Sequence, residues 1–471
     1  MKNNKYTVPY GREIIENNEF KGNMEITEIV IPSSVKSIGC YAFADCANLK
    51  SVIIPNSVIE IGYKAFFGCT NLTDITITNA ITDIYPSTFE NCISLTGVTI
   101  PYGVKNIGNS AFRGCKNLKN INIPNSVITI GYYAFTDCTS LVSVNIPNST
   151  IDIGAGAFGG CVNLINVNIP DNVLIIRDNI FKDCQSLTNI TIPNNVTVIR
   201  DGAFIGCKNL KNITIPNNVI SIGSFAFSKC EKLTDITISN GVTMIFEYAF
   251  TGCTSLTDIT IPISVTKIGC YAFTGCTKLA NVTILNGTRI IGECAFANCT
   301  NLKSVIIPDT VMSIEDGAFK NCNNLVNVNI PNSTINIGIS AFAECTSLQD
   351  VIIPDSVIAI DAYAFKGCTN LKSIILPNNI TSIRNFMFEN CTNLTNISIP
   401  DKVISIGERA FFNCINLTNV TIPDSVTSIG YGAFYNCTSL TNVIIPDSVT
   451  SIGCYAFDDT SLTIPNNITN I

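Results

Sequence analysis

The chain has no histidine and no tryptophan among its 471 residues, and only 13% of the residues are charged. Without an imidazole, Ser-His-Asp and Cys-His nucleophile systems and His-ligated metal sites are all excluded. Lys and Arg total 28 against 35 Asp and Glu, a net charge of −7, and the basic residues are not clustered. A phosphate-tracking surface needs such clusters, so no nucleic-acid partner is expected. There is no apolar run of about eighteen residues, the length a membrane-spanning helix requires. The opening residues, MKNNKYTVPYGREIIENNEF, hold no apolar segment of the secretory type. No G-x-x-x-x-G-K-[ST] phosphate loop appears. The acidic residues are scattered, with no sign of a desolvated pair. The reading is a chain that is not an enzyme, holds no cofactor or metal, and crosses no membrane by a helix. With 46% hydrophobic residues it still has ample material for a core.

What fills the chain is a period of 23 residues. Counting from Pro9 as position zero, the proline recurs through Pro32, Pro55 and Pro101 to Pro446, replaced only by Thr78, Ser239 and Leu285. Position 11 is Phe in all twenty registers, Phe20 to Phe457, and position six is Ile in all, Ile15 to Ile452. Position 22 is Ile except at Leu376, and position 17 is Leu from Leu49 to Leu440. Within one unit, Val443 and Ile445 alternate with outward residues, which predicts a short strand with one buried face. Ile429, Ala433, Phe434, Cys437 and Leu440 are spaced to share one side of a helical or 3-10 segment. A unit this short cannot bury its apolar face alone, so neighbours must stack and like residues must form ladders. Residues 1–8 read as an N-terminal leader. Residues 9–471 read as a single solenoid with a shortened C-terminal cap, because Pro465 follows Phe457 early and the chain ends at Ile471.

The unit IPDSVTSIGYGAFYNCTSLTNVI resembles the BspA-like leucine-rich repeats of surface-antigen type, from about Pro9 to Ile471. The resemblance implies an α/β solenoid, a leucine-rich-repeat superhelix or horseshoe of about 20 coils. Its parallel β-sheet would lie on the concave side, with short helical or 3-10 turns on the convex side. It also implies a protein-interaction role, adhesion or surface-antigen binding of host or partner proteins, and with it a cell-surface location. The residues alone show no export signal, so an intracellular interaction scaffold is the alternative.

Eighteen of 22 cysteines stand at position 14, Cys46 to Cys437. That column reads as a buried ladder of small, inert thiols in the Asn-or-Cys site of leucine-rich repeats, where Asn23 stands in the first unit. Cys40, Cys270, Cys294 and Cys454 fall outside it. Cys270 and Cys294, on neighbouring rungs, offer a bridge or a reactive pair, against the plainer reading of two free thiols.

Two surfaces stand out. Thr191, Thr214, Thr237, Thr260 and Thr283, with Asn or Asp two residues before each, form a polar strip on the strand face. Such a strip suits exposed strands and, less plausibly, an ice-binding rod. Position nine carries Phe225, Tyr248 and Tyr271 on three consecutive rungs, with Phe246 nearby and a second pair at Tyr363 and Phe386. Clustered half-exposed aromatics have the character of interface anchors, although shielding of the Phe ladder accounts for them as well. Arg177 and Arg200, each followed by Asp, read as a locally paired, solvated face.

Overall fold

The computed structural model describes residues 4–460. The chain divides into two compact units, Met1–Ile236 and Thr237–Ile471. Both are parallel β-solenoids whose register advances by 23 residues per coil. In the first unit an eight-stranded parallel sheet runs from Lys5–Thr7, through Glu28–Val30 and Ser51–Ile53, to Asn166–Val167. The pairing Lys5↔Glu28 and Glu28↔Ser51 shows the fixed step. In the second unit a six-stranded sheet runs from Asp258–Ile261 to Ser373–Ile375, and a three-stranded one from Asn396–Ser398 to Asn442–Ile444. A second set of two-residue strands, such as Ser37–Ile38 and Ser428–Ile429, carries the position-six isoleucines inward. Alternation is what makes these strands: Ile29, Val52 and Val144 are buried while their strand neighbours face water.

The core is a set of ladders. In the first unit the position-11 rings stack from Phe20 to Phe227 with centroids 5.1–5.8 Å apart. In the second they stack from Phe250 to Phe457 at 5.0–5.9 Å. Rings held in one file at this spacing add pair attraction to the burial of their area.

The expected helical or 3-10 segment is absent: no helix of either kind occurs among the described residues. Positions nine and 13 of every coil have left-handed backbone, for instance Tyr41 (φ 57°) with Asp45 (φ 59°), and Lys64 (φ 55°) with Gly68 (φ 68°). A right-handed helix cannot pass through two such residues in one turn and a half. The hydrogen bonds show the alternative. Amides at positions nine, 11 and 13 donate to the next coil, as in Tyr41 N to Tyr63 O (2.9 Å), Phe43 N to Ala65 O (2.8 Å) and Asp45 N to Phe67 O (2.6 Å). Amides at ten, 12 and 14 close turns within the coil, as in Ala42 N to Gly39 O (3.3 Å), Ala44 N to Tyr41 O (3.0 Å) and Cys46 N to Phe43 O (3.2 Å). The segment is a ladder of turns bonded from coil to coil.

Residues Lys5–Thr7 of the leader pair with Glu28–Val30 as an added strand. The first three residues of the leader, and the shortened unit expected around Pro465 and Ile471, lie outside the described residues.

Candidate functional site

The turn ladder decides how position nine is presented. Its amide is tied to the next coil and its backbone is left-handed, so its side chain lies along the surface toward position nine of the following coil. Tyr248 and Tyr271 stack face to face, centroids 4.8 Å apart and 5° between planes. Tyr363 and Phe386 do the same at 4.7 Å and 4°. All four are half-buried, so each ring keeps part of its surface to water. Phe225 occupies the equivalent place in the first unit and is exposed. Phe246 is exposed too, and makes no ring contact among the described residues. A left-handed residue bearing a Cβ is disfavoured by about 1–2 kcal/mol. Eight of the twenty position-nine residues are nevertheless aromatic: Tyr41, Tyr133, Phe225, Tyr248, Tyr271, Tyr363, Phe386 and Tyr455. The Tyr271 hydroxyl donates to Glu293 Oε1 at 2.5 Å, and that carboxylate raises the phenol pKa.

Toward the C-terminal end a larger grouping appears that the sequence reading missed. The Arg409 guanidinium lies 6.0 Å from the Phe386 ring, 5.1 Å from Phe412 and 5.8 Å from Tyr431. Phe412 stacks on Tyr435 at 5.2 Å, and Tyr431 meets Tyr455 edge to face at 5.6 Å. These residues come from positions eight, nine and 12 of successive coils, so no single column announces them. Between them lies an open cleft of about 390 Å³.

The sequence matches the BspA type leucine rich repeat region in six overlapping copies, over residues 13–142, 105–219, 174–301, 244–372, 289–414 and 359–471. The chain belongs to the BspA-type leucine-rich-repeat family. A solved leucine-rich repeat protein from Bacteroides ovatus is 31% identical, with a TM-score of 0.55, over 78% of this chain and 83% of that one. A leucine rich cell surface protein from Faecalibacterium prausnitzii is 31% identical over 74% of this chain and 87% of that one, with a TM-score of 0.40. The pneumococcal vaccine antigen PcpA is 17% identical over 88% of this chain and 89% of that one, with a TM-score of 0.39. No curated protein matches.

The cysteine column of this BspA-type solenoid is buried, and its thiols have a definite job. Within each unit the Sγ donates to the carbonyl of the position-11 Phe one coil back, as from Cys46 to Phe20 O (2.9 Å) in the first and from Cys437 to Phe411 O (3.1 Å) in the second. Burial is the leading cause that pushes the thiols up, Cys46 to about 11 and Cys161, Cys276, Cys345 and Cys437 to about 12. A thiol that stays protonated is neither nucleophile nor metal ligand at neutral pH. Cys270 and Cys294 form no bridge; both are half-buried free thiols.

The threonine strip is less regular than its column suggests. Thr214 lies in the strand Asn212–Ile215 of the first unit, whereas Thr191 lies outside any strand, next to the isolated bridge Asn189↔Asn212. In the second unit Thr260 pairs with Thr283. Beside them Asn281 Nδ2 donates to Asp258 Oδ1 at 2.7 Å, so part of the strip's polarity is spent along the ladder. Thr237 is exposed at the start of that unit. Arg177 does not pair with the neighbouring Asp178: its Nε donates to Asp152 Oδ1 on the preceding coil at 2.9 Å. Arg200 forms no ion pair among the described residues.

Proposed function

We propose that this BspA-type solenoid is a non-enzymatic binder of protein partners, and that it binds through the aromatic side chains at position nine. The observation that carries the reading is the pair of ring stacks, Tyr248–Tyr271 and Tyr363–Phe386, half-exposed on a rigid, coil-to-coil bonded backbone. Rigid aromatics lose little side-chain freedom on binding and supply large contact area, the traits of interface anchors. Each is also held where an L-residue is strained, and strain of this kind gathers at functional positions. Adhesion or surface-antigen use is the elaboration that family membership suggests.

The test is replacement of Tyr248, Tyr271, Tyr363 and Phe386 together by Ser, with circular dichroism to confirm the fold. Affinity purification from host-cell or matrix extracts, quantified by mass spectrometry, should lose its specific partners in the variant. Unchanged capture refutes the assignment to position nine. A second reading, an intracellular interaction scaffold, is favoured by the free thiols of the column. Surface labelling of intact cells separates the two.

A further inference from the structure

We propose that the cleft between Arg409 and Tyr455 is a receptor for one aromatic side chain of a protein partner. This rests on the protein-binding reading above and gives one site within it. Along position nine the coils present Tyr363, Phe386, Arg409, Gly432 and Tyr455 in order. Tyr363 stacks on Phe386, and the planar Arg409 guanidinium continues toward the same file, 6.0 Å from the Phe386 ring. At Gly432 the file is vacant, and it resumes at the exposed ring of Tyr455.

Other vacancies of this column are closed by the preceding side chain. A Cβ placed on Gly156 would meet the Tyr133 ring at 2.5 Å, one on Gly202 would meet Asn179 Oδ1 at 2.5 Å, and one on Gly317 would meet Cys294 Sγ at 2.8 Å. At Gly432 the nearest atoms, its chain neighbours Tyr431 and Ala433 set aside, are Arg409 Cγ at 3.5 Å and Tyr435 Cβ at 3.7 Å, ordinary contact distances; the Tyr431 ring forms one side of the place, 5.8 Å from the guanidinium and 5.6 Å from the Tyr455 ring. The place is open, and it opens into the cleft of about 390 Å³ walled by Arg409, Phe412, Tyr431, Tyr435 and Tyr455.

The chemistry of the walls selects the occupant. Arg409 forms no ion pair among the described residues, and its Nε is buried without a hydrogen-bond partner. Among the described residues the guanidinium is held by ring faces. A planar cation facing a slot attracts the negative face of another ring, and the remaining walls are rings. A carboxylate would gain the one charge but lose its water against four aromatic walls, which disfavours it. The coil spacing, which sets rings 4.7–5.2 Å apart at Tyr363–Phe386 and Phe412–Tyr435, sizes the vacancy for one ring.

Because the chain has no tryptophan, the emission of acetyl-Gly-Trp-Gly-amide, excited to the red of tyrosine absorption, reports the probe alone. Titrating that peptide with the full chain should give a saturable emission shift with a dissociation constant in the millimolar range, about what a single side chain sustains. Gly432→Phe should weaken binding at least about tenfold, equal to about 1.4 kcal/mol. That variant keeps the fold because Phe386 already occupies the same position at φ 59° against 55° for Gly432. Arg409→Gln, with the vacancy left open, should weaken binding similarly and covers the case in which Gly432→Phe fails to fold. Acetyl-Gly-Phe-Gly-amide should displace the probe. The proposal is overturned by no saturable shift up to about 2 mM chain, by equal binding in both variants, or by displacement with acetyl-Gly-Glu-Gly-amide but not with the Phe peptide. The last outcome would make the cleft an anion site. A wild-type chain that retains its protein partners yet ignores the tripeptide sinks the cleft and leaves the broader reading intact.

Discussion

Phe273→Ala is the sharpest probe of the stacked spine. Phe273 is completely buried, with its ring 5.1 Å from Phe250 and 5.3 Å from Phe296. Truncation of a buried Phe costs about 3–5 kcal/mol in lost transfer energy and residual cavity. Each broken ring pair adds about 0.5–1.5 kcal/mol. Two pairs bring the expected loss to about 4–8 kcal/mol. Phe457, in the last full coil, has one ring partner among the described residues, Phe434 at 5.2 Å, and is 4% exposed, so Phe457→Ala should lose one pair contribution and less cavity energy.

In a stack of repeats, stability is a sum of unit terms and nearest-neighbour terms, so the damage is local. Native-state hydrogen exchange makes that visible. In Phe273→Ala, protection should fall for Phe250 N and Phe273 N, which donate across coils to Ala272 O and Ala295 O. Phe66 N and Phe112 N in the first unit, bonded to Thr88 O and Ala134 O, should keep theirs. Equal destabilisation by the central and terminal substitutions, or uniform loss of protection along the chain, would refute the picture of a laddered core with additive rungs.

Alkaline pH should unfold the protein steeply. The folded pKa values of Cys46, Cys161, Cys276, Cys345 and Cys437 are raised to about 11 or 12, whereas the unfolded thiols titrate near 9. Below pH 9 both states hold the protons and stability is unaffected. From about 9 toward 11 only the unfolded state releases them, and each thiol removes about 1.4 kcal/mol per pH unit. Melting temperature followed from pH 7 to 10.5 should therefore be flat and then fall sharply; a flat profile throughout would contradict the buried column. At pH 8, rapid labelling of the folded chain by a thiol reagent should be confined to Cys40, Cys270, Cys294 and Cys454, the cysteines that are not buried, as read by peptide mapping. Left-handed backbone gives a paired test: Ser340→Gly, at φ 57°, should stabilise by up to about 1 kcal/mol. Gly68→Ala, at φ 68°, should destabilise by about 1–2 kcal/mol in urea titration.

The ladders were legible in the sequence because they depend only on a fixed count. A step of 23 residues puts Phe43 over Phe66 and Cys69 over Cys92 whatever path the backbone takes between them. The turn face was not legible for the same reason. Ile429, Ala433, Phe434, Cys437 and Leu440 share one side in the structure, as their spacing requires, but spacing records where side chains point and not the sign of φ. A ladder of turns, alternately closed within a coil and bonded to the next, delivers the same inward set as a helix. One signal did distinguish them: position 13 is Gly, Asn or Asp in eighteen of twenty coils, the residues that accept left-handed backbone most readily.

Position nine gave no such signal. There the coil-to-coil amide bond imposes the left-handed conformation on Tyr, Phe, Lys and Arg alike. That bond frees the column from the core's demands while fixing its direction, so its identity varies where every inward position is repeated. The Arg409 cleft is the consequence. It draws on positions eight, nine and 12 of different coils and on the lack of a side chain at Gly432, a combination that no other coil repeats. A solenoid built from near-identical rungs carries individuality only where one rung departs from the next, and under the proposed function that departure is what a partner would recognise.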